Sequence, residues 1–160
     1  RVDMITLTDS IDIEATAEEV YDWLVQRLRN KDSYRQWHSD HVDIRWIKGG
    51  PVQEGSILYA EEYLHAVLHK LTFRITKVIP NRRIEYRVLF PFSLLTAGNS
   101  FAIEPTGEGR CVFTATGSFR FPRWLYERMP PKHKAKIDAI QRHMREEGEN
   151  LKKALEGGNR

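Results

Sequence analysis

The chain has 160 residues, of which 41% are hydrophobic and 11% aromatic, and its formal net charge is +3. This length and composition predict one domain, residues 1–160, that buries its own core without disulfides. The charge excess is mild and spread along the chain, and no Lys/Arg tract argues for nucleic acid or an anionic membrane. No apolar run is long enough to span a bilayer, and the single Cys111 cannot form an internal disulfide. The single cysteine fits a reducing, cytoplasmic setting, and we expect neither nucleic-acid nor membrane partners.

The first part of the chain predicts one strand and two short helices. Apolar residues alternate over residues 4–14, as in a half-buried strand. Thr16, with Glu19 three positions later, predicts a capping box at the start of a helix. Asn30-Lys31-Asp32 is expected to end this helix, and Ser33–His38 is expected to form one further helical turn.

The rest of the chain predicts a sheet and a long helix. Turn signals such as Gly49-Gly50-Pro51 and Gly98-Asn99 divide a stretch rich in β-branched and aromatic residues. The predicted strands are His41–Ile47, Ser56–Leu64, His69–Ile79, Arg83–Phe90, Ser100–Glu104 and Arg110–Phe121. A helical region from Trp124 to Leu155 follows, with Pro130-Pro131 resetting it near its start. We therefore expect an α+β fold, in which a seven-stranded curved antiparallel sheet surrounds a long C-terminal helix and two short helices follow the first strand.

The long helix carries two ionisable residues on its apolar face. At about 100° per residue, Glu147 falls on the apolar arc between Met144 and Leu151, and His143 lies on the edge of that arc. Residues four apart on a helix point the same way, so His143 and Glu147 can both reach one cation. An ionised carboxylate in an apolar arc requires a metal, a cation or a hydrogen-bond network. The pair is therefore a candidate half of a metal site.

Two earlier segments offer the other half of such a site. The expected hairpin register places His41 opposite Glu62, and His38 comes just before that strand. Pleating allows only one of Glu61 and Glu62 to face inward, and the apolar neighbours on its face favour Glu62. Two imidazoles and two carboxylates suit Zn²⁺, with Fe²⁺ or Mn²⁺ as alternatives. The choice between His38 and His41 stays open on these grounds.

The order of elements resembles the START-related SRPBCC superfamily, which includes the birch-pollen allergen relatives and the polyketide cyclases. The segments that carry the resemblance are IEATAEEVYDWL, GSILYAEEYL, KVIPNRRIEYR and the late helix. The resemblance covers nearly the whole chain and implies a helix-grip fold. It also implies a cavity between sheet and helix that takes an apolar or aromatic ligand. Such a resemblance is good evidence for fold and poor evidence for function.

The candidate metal ligands are similar to the metal site of the diacetylphloroglucinol and phloretin hydrolases. The shared pattern is a Trp-His followed by an acid-His step, an inward strand Glu and a late helical HxxxE. Those enzymes use zinc to cleave a carbon–carbon bond between an acyl group and a phenolic ring. The resemblance implies four metal ligands, which are His38, Glu62, His143 and Glu147. It implies that Asp40 and His41 border the substrate or support the ligands, although the WHSDH segment is shorter than the hydrolase pattern.

The implied reaction is hydrolysis with a zinc ion as Lewis acid, which polarises an acyl carbonyl or lowers the pKa of a bound water toward about 7. The leaving ring would need a proton, for which Tyr34, Tyr86 and His69 are candidates. Two other functions fit the same sequence: a carrier of an apolar small molecule, and a metal-free cyclase or aromatase of the polyketide type. The expected partner is a hydrophobic or aromatic small molecule, and a homodimer is compatible with the sequence.

Overall fold

The computed structural model describes residues 3–157, in which seven strands form one antiparallel sheet. The strands are β1 (Met4–Ile13), β2 (His41–Lys48), β3 (Ile57–Leu64), β4 (Val67–Ile79), β5 (Arg83–Val88), β6 (Thr96–Gly107) and β7 (Arg110–Pro122). Their order in the sheet is β1-β7-β6-β5-β4-β3-β2, so β2 to β7 form a meander and β1 pairs with β7. The predicted α+β helix-grip fold with a seven-stranded antiparallel sheet is confirmed.

Within residues 3–157, four α-helices accompany the sheet. The helices are α1 (Ala17–Arg27), α2 (Lys31–Trp37), α3 (Arg123–Glu127) and α4 (Pro131–Glu156). The capping box of Thr16 and Glu19 is present at the start of α1. Asn30, which we expected only to end α1, caps α2 by accepting a hydrogen bond from the Ser33 N–H. The reset of the helical region expected at Pro130-Pro131 is confirmed: α3 ends at Glu127 and Pro131 begins a new helix, because proline is tolerated in the first helical turn and not inside a helix.

The turn expected at Gly98-Asn99 is also wrong, since both residues lie inside β6. The register of β6 against β7 shifts between Thr96 and Gly98, so the glycine marks an irregularity in the strand rather than its end. Asn99 pairs with Gly117, where a Cβ atom would stand 2.9 Å from Asn99 Oδ1. Because Gly117 has no side chain, the Asn99 side chain can occupy this space.

Helix α4 lies against the sheet and contacts β1, β3 and β7. Leu151 and Leu155 of α4 are buried in the main core. Gly148 sits in the middle of α4, where a Cβ atom would stand 3.3 Å from Ile11 Cγ2 on β1. The glycine thus permits a close approach of helix and strand, which offsets its low helix propensity. Among residues 3–157, no helix is both long enough and apolar enough to cross a membrane.

Replacing Leu151 by Ala tests how firmly α4 is docked on the sheet. Leu151 is fully buried, so we expect the free energy of unfolding to fall by about 2–5 kcal/mol through lost burial and the cavity left behind. Chemical denaturation followed by circular dichroism measures this change. Lys153→Ala, on the exposed side of the same helix, should change stability by less than about 0.5 kcal/mol. Equal effects of the two substitutions would contradict the docked position of α4.

Candidate functional site

Four ionisable side chains from three elements meet at the buried face of α4. His41 begins β2 and pairs with Glu62 of β3, while His143 and Glu147 are one turn apart on α4. His41, His143 and Glu147 are all buried, and the Glu62 side chain is only 12% exposed. The expected pairing of His41 with Glu62 is confirmed, and so is the buried position of the helical pair.

Glu147 Oε2 lies close to both imidazoles. It is 2.8 Å from His41 Nε2 and 3.1 Å from His143 Nε2. Glu62 Oε2 approaches the same two nitrogens from β3, at 3.9 Å from His41 and 3.8 Å from His143. Two carboxylate oxygens and two ring nitrogens therefore surround one small volume.

Tyr34 of α2 contacts both His41 and Glu62, the two residues of the cluster that come from strands. The Nδ1 atom of His41 is 3.0 Å from the Tyr34 carbonyl oxygen, which can only accept, so Nδ1 carries the proton. On the other side of the ring, His41 Nε2 is hydrogen-bonded to Glu147 Oε2 at 2.8 Å. The Tyr34 ring stacks on the His41 ring with centroids 3.8 Å apart, and the Tyr34 hydroxyl donates to Glu62 Oε2 at 2.7 Å. One residue thus orients the imidazole and the carboxylate together.

His143 has fewer hydrogen bonds than the side chains around it. Within residues 3–157, neither of its ring nitrogens has a hydrogen-bond partner, although both nitrogens are buried. The contact of Nε2 with Glu147 has the distance of an ion pair without the direction of a hydrogen bond, and Nδ1 is 4.0 Å from Asp40 Oδ2. Buried polar atoms are nearly always hydrogen-bonded. Two such atoms on one ring therefore mark a position where a ligand or an ion is expected.

The electrostatics of the helical pair are strongly perturbed. Burial by itself lowers the pKa of His143, but the charge of Glu147, followed by those of Glu62 and Asp40, raises that pKa to about 9. Burial by itself raises the pKa of Glu147, but His143 and His41 hold that pKa well below its usual range. In the metal-free protein near neutral pH, Glu147 is therefore ionised and His143 protonated.

His38, Asp40 and Glu146 form a second layer beside this cluster. His38 Nδ1 accepts a hydrogen bond from the Asp40 backbone N–H at 2.8 Å, so its Nε2 carries the proton and donates to Glu146 Oε1 at 3.0 Å. The His38 ring centroid is 4.6 Å from that of His143, and the Asp40 side chain is 44% exposed.

Of the four predicted ligands, the structure brings together Glu62, His143 and Glu147, with His41 as the fourth member and His38 alongside. Glu146 did not emerge from the sequence, although its place three residues after His143 is a signal that could have indicated it.

A reciprocal pair of hydrogen bonds joins α2 to α4 at the site. The Trp37 indole Nε1 donates to the carbonyl oxygen of Glu147 at 3.0 Å, and the Asn150 side chain donates to the carbonyl oxygen of Trp37 at 2.9 Å. Sequence reasoning missed this function of Trp37 and Asn150, because the partners are more than 100 residues apart and neither forms a motif. The bonds fix the part of α4 that carries Glu147.

The site lies at one end of an internal cavity of about 580 Å³. Most of the lining is apolar, and its residues include Leu58, Leu71, Phe73, Ile84, Phe101 and Met144. The buried polar end is lined by Tyr34, Glu62, Tyr86, His143 and Glu147. His69 also lines the cavity, and its Nδ1 is 2.8 Å from the carbonyl oxygen of Val67. The space is therefore an apolar chamber with one concentrated polar end.

Both phenols at this end remain protonated. Burial raises the pKa of Tyr34 well above its usual value, and the charges of Glu62 and Glu147 add to that effect. Burial likewise raises the pKa of Tyr86 well above its usual value, together with the charges of Glu147 and Glu62. Within the described chain, no residue accepts a hydrogen bond from the Tyr86 hydroxyl, so this hydroxyl is available to a molecule in the cavity.

A curved antiparallel sheet that holds a C-terminal helix over an internal cavity defines a helix-grip protein. The chain belongs to the family described as polyketide cyclase / dehydrase and lipid transport, whose model matches residues 4–156. The family description does not name a hydrolase, so the hydrolase activity stays a prediction.

Solved structures with the same fold share little sequence with this chain. A START superfamily protein from Mycobacterium smegmatis has a TM-score of 0.70 at 12% identity, covering 95% of this chain and 97% of its own. The Zhui aromatase/cyclase from Streptomyces sp. R1128 has a TM-score of 0.68 at 15% identity, covering 97% and 98%. Norcoclaurine synthase from Thalictrum flavum, solved with dopamine and hydroxybenzaldehyde, has a TM-score of 0.62 at 13% identity, covering 89% and 87%. At these identities the likeness shows the fold alone. Among curated proteins, none matches the sequence at a significant level.

The raised pKa of His143 can be measured in the metal-free protein by following its ring signals in an NMR pH titration. We expect a midpoint near 9 in the wild type. Glu147→Gln removes the charge that contributes most to raising this pKa, so the midpoint should fall well below 9. Glu149→Gln removes a carboxylate from the exposed side of the same helix and should leave the His143 midpoint unchanged. A wild-type midpoint in the usual range of histidine would contradict the geometry described for the cluster.

Proposed function

We propose that this protein is a zinc-dependent hydrolase-like enzyme whose cavity takes an apolar or aromatic ketone. The observation that carries the proposal is the meeting of Glu62, His143 and Glu147, which line the buried end of an otherwise apolar cavity, with His41, whose Nε2 lies 2.8 Å from Glu147. A cavity of this kind orients a ligand with its polar group toward the four side chains and its apolar body toward the opening. The same pattern of residue types underlies the resemblance to the acyl-phenol hydrolases.

The donor set fits a zinc ion. Four ligands at about 2.0–2.2 Å from a tetrahedral zinc are about 3.3–3.6 Å from one another. The four measured donor separations lie on both sides of that range, at 2.8, 3.1, 3.8 and 3.9 Å. The ligand atoms of His41, His143 and Glu147 all lie within 4.8 Å of one another. Once His143 is deprotonated, its Nε2, which has no hydrogen bond in the described chain, would offer a lone pair to a cation at this point.

We assign the first ligand to His41 rather than to His38. His41 Nδ1 donates a hydrogen bond to the Tyr34 carbonyl, and a backbone carbonyl is a usual hydrogen-bond partner of a metal-bound histidine. Its Nε2 faces Glu147 and Glu62, which are two of the other proposed metal ligands. His38 uses both ring nitrogens in hydrogen bonds, to the Asp40 backbone N–H and to Glu146. In this proposal His38 packs beside His143 and positions it, and Asp40 borders the site from its partly exposed side.

A bound zinc ion would supply Lewis-acid polarisation of an acyl carbonyl. The chain's own residues supply the remaining requirements. Tyr86 can donate a hydrogen bond to the ligand's oxygen, because its raised pKa keeps the phenol protonated. Tyr34 orients His41 and Glu62, and the apolar lining keeps bulk water away from the ketone. His69, further along the cavity, remains a candidate proton donor to the leaving ring.

A metal-free carrier or cyclase is the second candidate. The raised pKa of His143, to about 9, together with the lowered pKa of Glu147 gives an ion pair that balances the buried charge without a metal. Such a pair can bind the polar end of an apolar ligand by hydrogen bonds, and the family description includes both cyclases and lipid transport. The two candidates differ in whether the purified protein binds zinc.

Elemental analysis of purified protein is the direct test of the metal. We expect about one equivalent of zinc per chain, and loss of most of it in His41→Gln, His143→Gln and Glu147→Gln, because each removes a ligand of a site that needs all of them. His38→Gln should retain zinc if His41 is the ligand. The matched control His133→Gln changes an exposed histidine of α4 and should also retain it. A folded wild type that binds no added zinc would rule out the hydrolase and leave the carrier or cyclase.

The role of Tyr86 in ligand binding is tested with phloretin, an acyl phenol, by isothermal titration calorimetry. Tyr86→Phe removes a hydroxyl that has no acceptor in the described chain, so affinity should fall about 3- to 10-fold while the melting temperature changes little. Tyr59→Phe removes a hydroxyl that donates to Glu61 outside the cavity, and affinity should not change. Equal affinities in the wild type and Tyr86→Phe would contradict the proposed contact.

A further inference from the structure

The cavity opens to the surface at the end far from the polar cluster. The exposed residues of its lining are Leu95, Arg120, Leu125, His133 and Lys136. They come from the turn before β6, the end of β7, α3 and the first turns of α4. Arg120 joins two of these segments, since its backbone N–H donates to the Leu95 carbonyl at 2.7 Å and its Nε donates to the Ser93 carbonyl at 2.9 Å. We call this surface, together with the exposed residues next to it in sequence, the cavity rim.

Large apolar side chains protrude from the cavity rim. Phe90 is 76% exposed, Leu94 67% and Leu95 58%, on the segment that precedes β6. On the opposite side, Trp124 of α3 is 54% exposed and Leu125 39%. Exposed apolar residues that are scattered singly need no explanation, but a group around a cavity opening indicates a surface that is covered in use.

Positive charge is concentrated in the segment that contributes Arg120, Leu125, His133 and Lys136 to this lining. Residues 120–136 contain six Lys or Arg residues and one Glu, whereas the net charge of the whole chain is only +3. Of these six cations, only Arg123 forms an ion pair within the described chain, with Asp3 at 3.0 Å. The N-terminus of α4 at Pro131 adds the positive end of a helix dipole. Our expectation of charge spread evenly along the chain, from which we predicted no membrane contact, therefore does not hold for this segment.

We propose that the cavity rim docks on the surface of an anionic lipid bilayer. Basic side chains attract anionic lipid headgroups, and Trp and Leu side chains insert at the boundary between headgroups and acyl chains. A second copy of the chain fits poorly, because a two-fold contact through this face would bring the same cations together. An acidic protein would satisfy the cations, but the apolar groups on both sides of an open apolar cavity favour a bilayer. Docked in this way, an apolar ligand passes between bilayer and cavity without crossing water.

The docking rests on the apolar ligand of the proposed function and not on the metal. A protein that binds zinc and ignores vesicles contradicts the docking alone. A protein that binds vesicles and contains no zinc contradicts the hydrolase alone. The two proposals therefore fail in distinguishable ways.

Vesicle co-sedimentation with the full chain tests the docking. We expect binding to vesicles of equal parts phosphatidylcholine and phosphatidylserine, little binding to phosphatidylcholine alone, and weaker binding as salt increases. Lys132→Gln and Lys136→Gln should each weaken binding about fivefold by removing one positive charge near the headgroups. Leu94→Ser and Trp124→Ser should each weaken it roughly tenfold by removing an inserted apolar group. All four positions are exposed, so the fold should persist, which far-ultraviolet circular dichroism verifies.

Matched controls carry the same chemical changes away from the opening. Ile47→Ser changes a 61% exposed residue of β2, and Lys153→Gln changes an exposed residue near the end of α4. Both variants should bind vesicles as the wild type does. Absence of binding to anionic vesicles, or equal losses in the controls, would overturn the proposal. Binding that depends on the charges and is unaffected by Leu94→Ser and Trp124→Ser would assign the surface to an acidic protein partner instead.

Discussion

The burial of the Glu147 carboxylate is the constraint on which the rest of the site depends. An ionised carboxylate in the interior is strongly unfavourable unless positive charge and hydrogen-bond donors reach it. His143 approaches it from the same helix, and His41 from the edge of the sheet. Because His41 must point there, Tyr34 must hold its other nitrogen, and the same residue then fixes Glu62. One buried charge thus accounts for the arrangement of α2, β2 and β3 around α4.

The position of α4 is determined as much by backbone contacts as by side-chain packing. Trp37 donates to the carbonyl oxygen of Glu147, so the helix is held at the residue whose carboxylate matters. Gly148, the next residue, lets the helix approach β1 where a Cβ atom would stand 3.3 Å from Ile11 Cγ2. These two contacts involve adjacent residues of α4, one with α2 and the other with β1. Together they restrict sliding and rotation of the helix, which keeps Glu147 directed into the end of the cavity.

Sequence patterns predicted the features that repeat along the chain or act locally. Strand alternation, the capping box at Thr16 and the helical spacing of His143 and Glu147 each depend on neighbours within a few residues. Features that depend on distant partners were not predictable in this way. The sequence could not rank His38 against His41. Nδ1 of His38 accepts from the Asp40 backbone N–H, whereas Nδ1 of His41 donates to the Tyr34 carbonyl. This difference depends on the conformation of the loop between α2 and β2. Gly98 was taken for a turn because glycine marks turns and strand irregularities alike.

The cluster of two carboxylates and two imidazoles has two ways to balance its charge. A protonated His143 can offset the charge of Glu147, or one divalent cation can balance the carboxylates with neutral imidazoles. In the proposed zinc-bound state, metal binding would exchange bound protons for the ion, as it does at established histidine sites. The geometry distinguishes the two states, since a proton needs only one donor and one acceptor, whereas a cation needs several lone pairs directed at one point. Tyr34 fixes both His41 and Glu62, and neither nitrogen of His143 has a hydrogen bond in the described chain, which is the arrangement that the proposed zinc site would require.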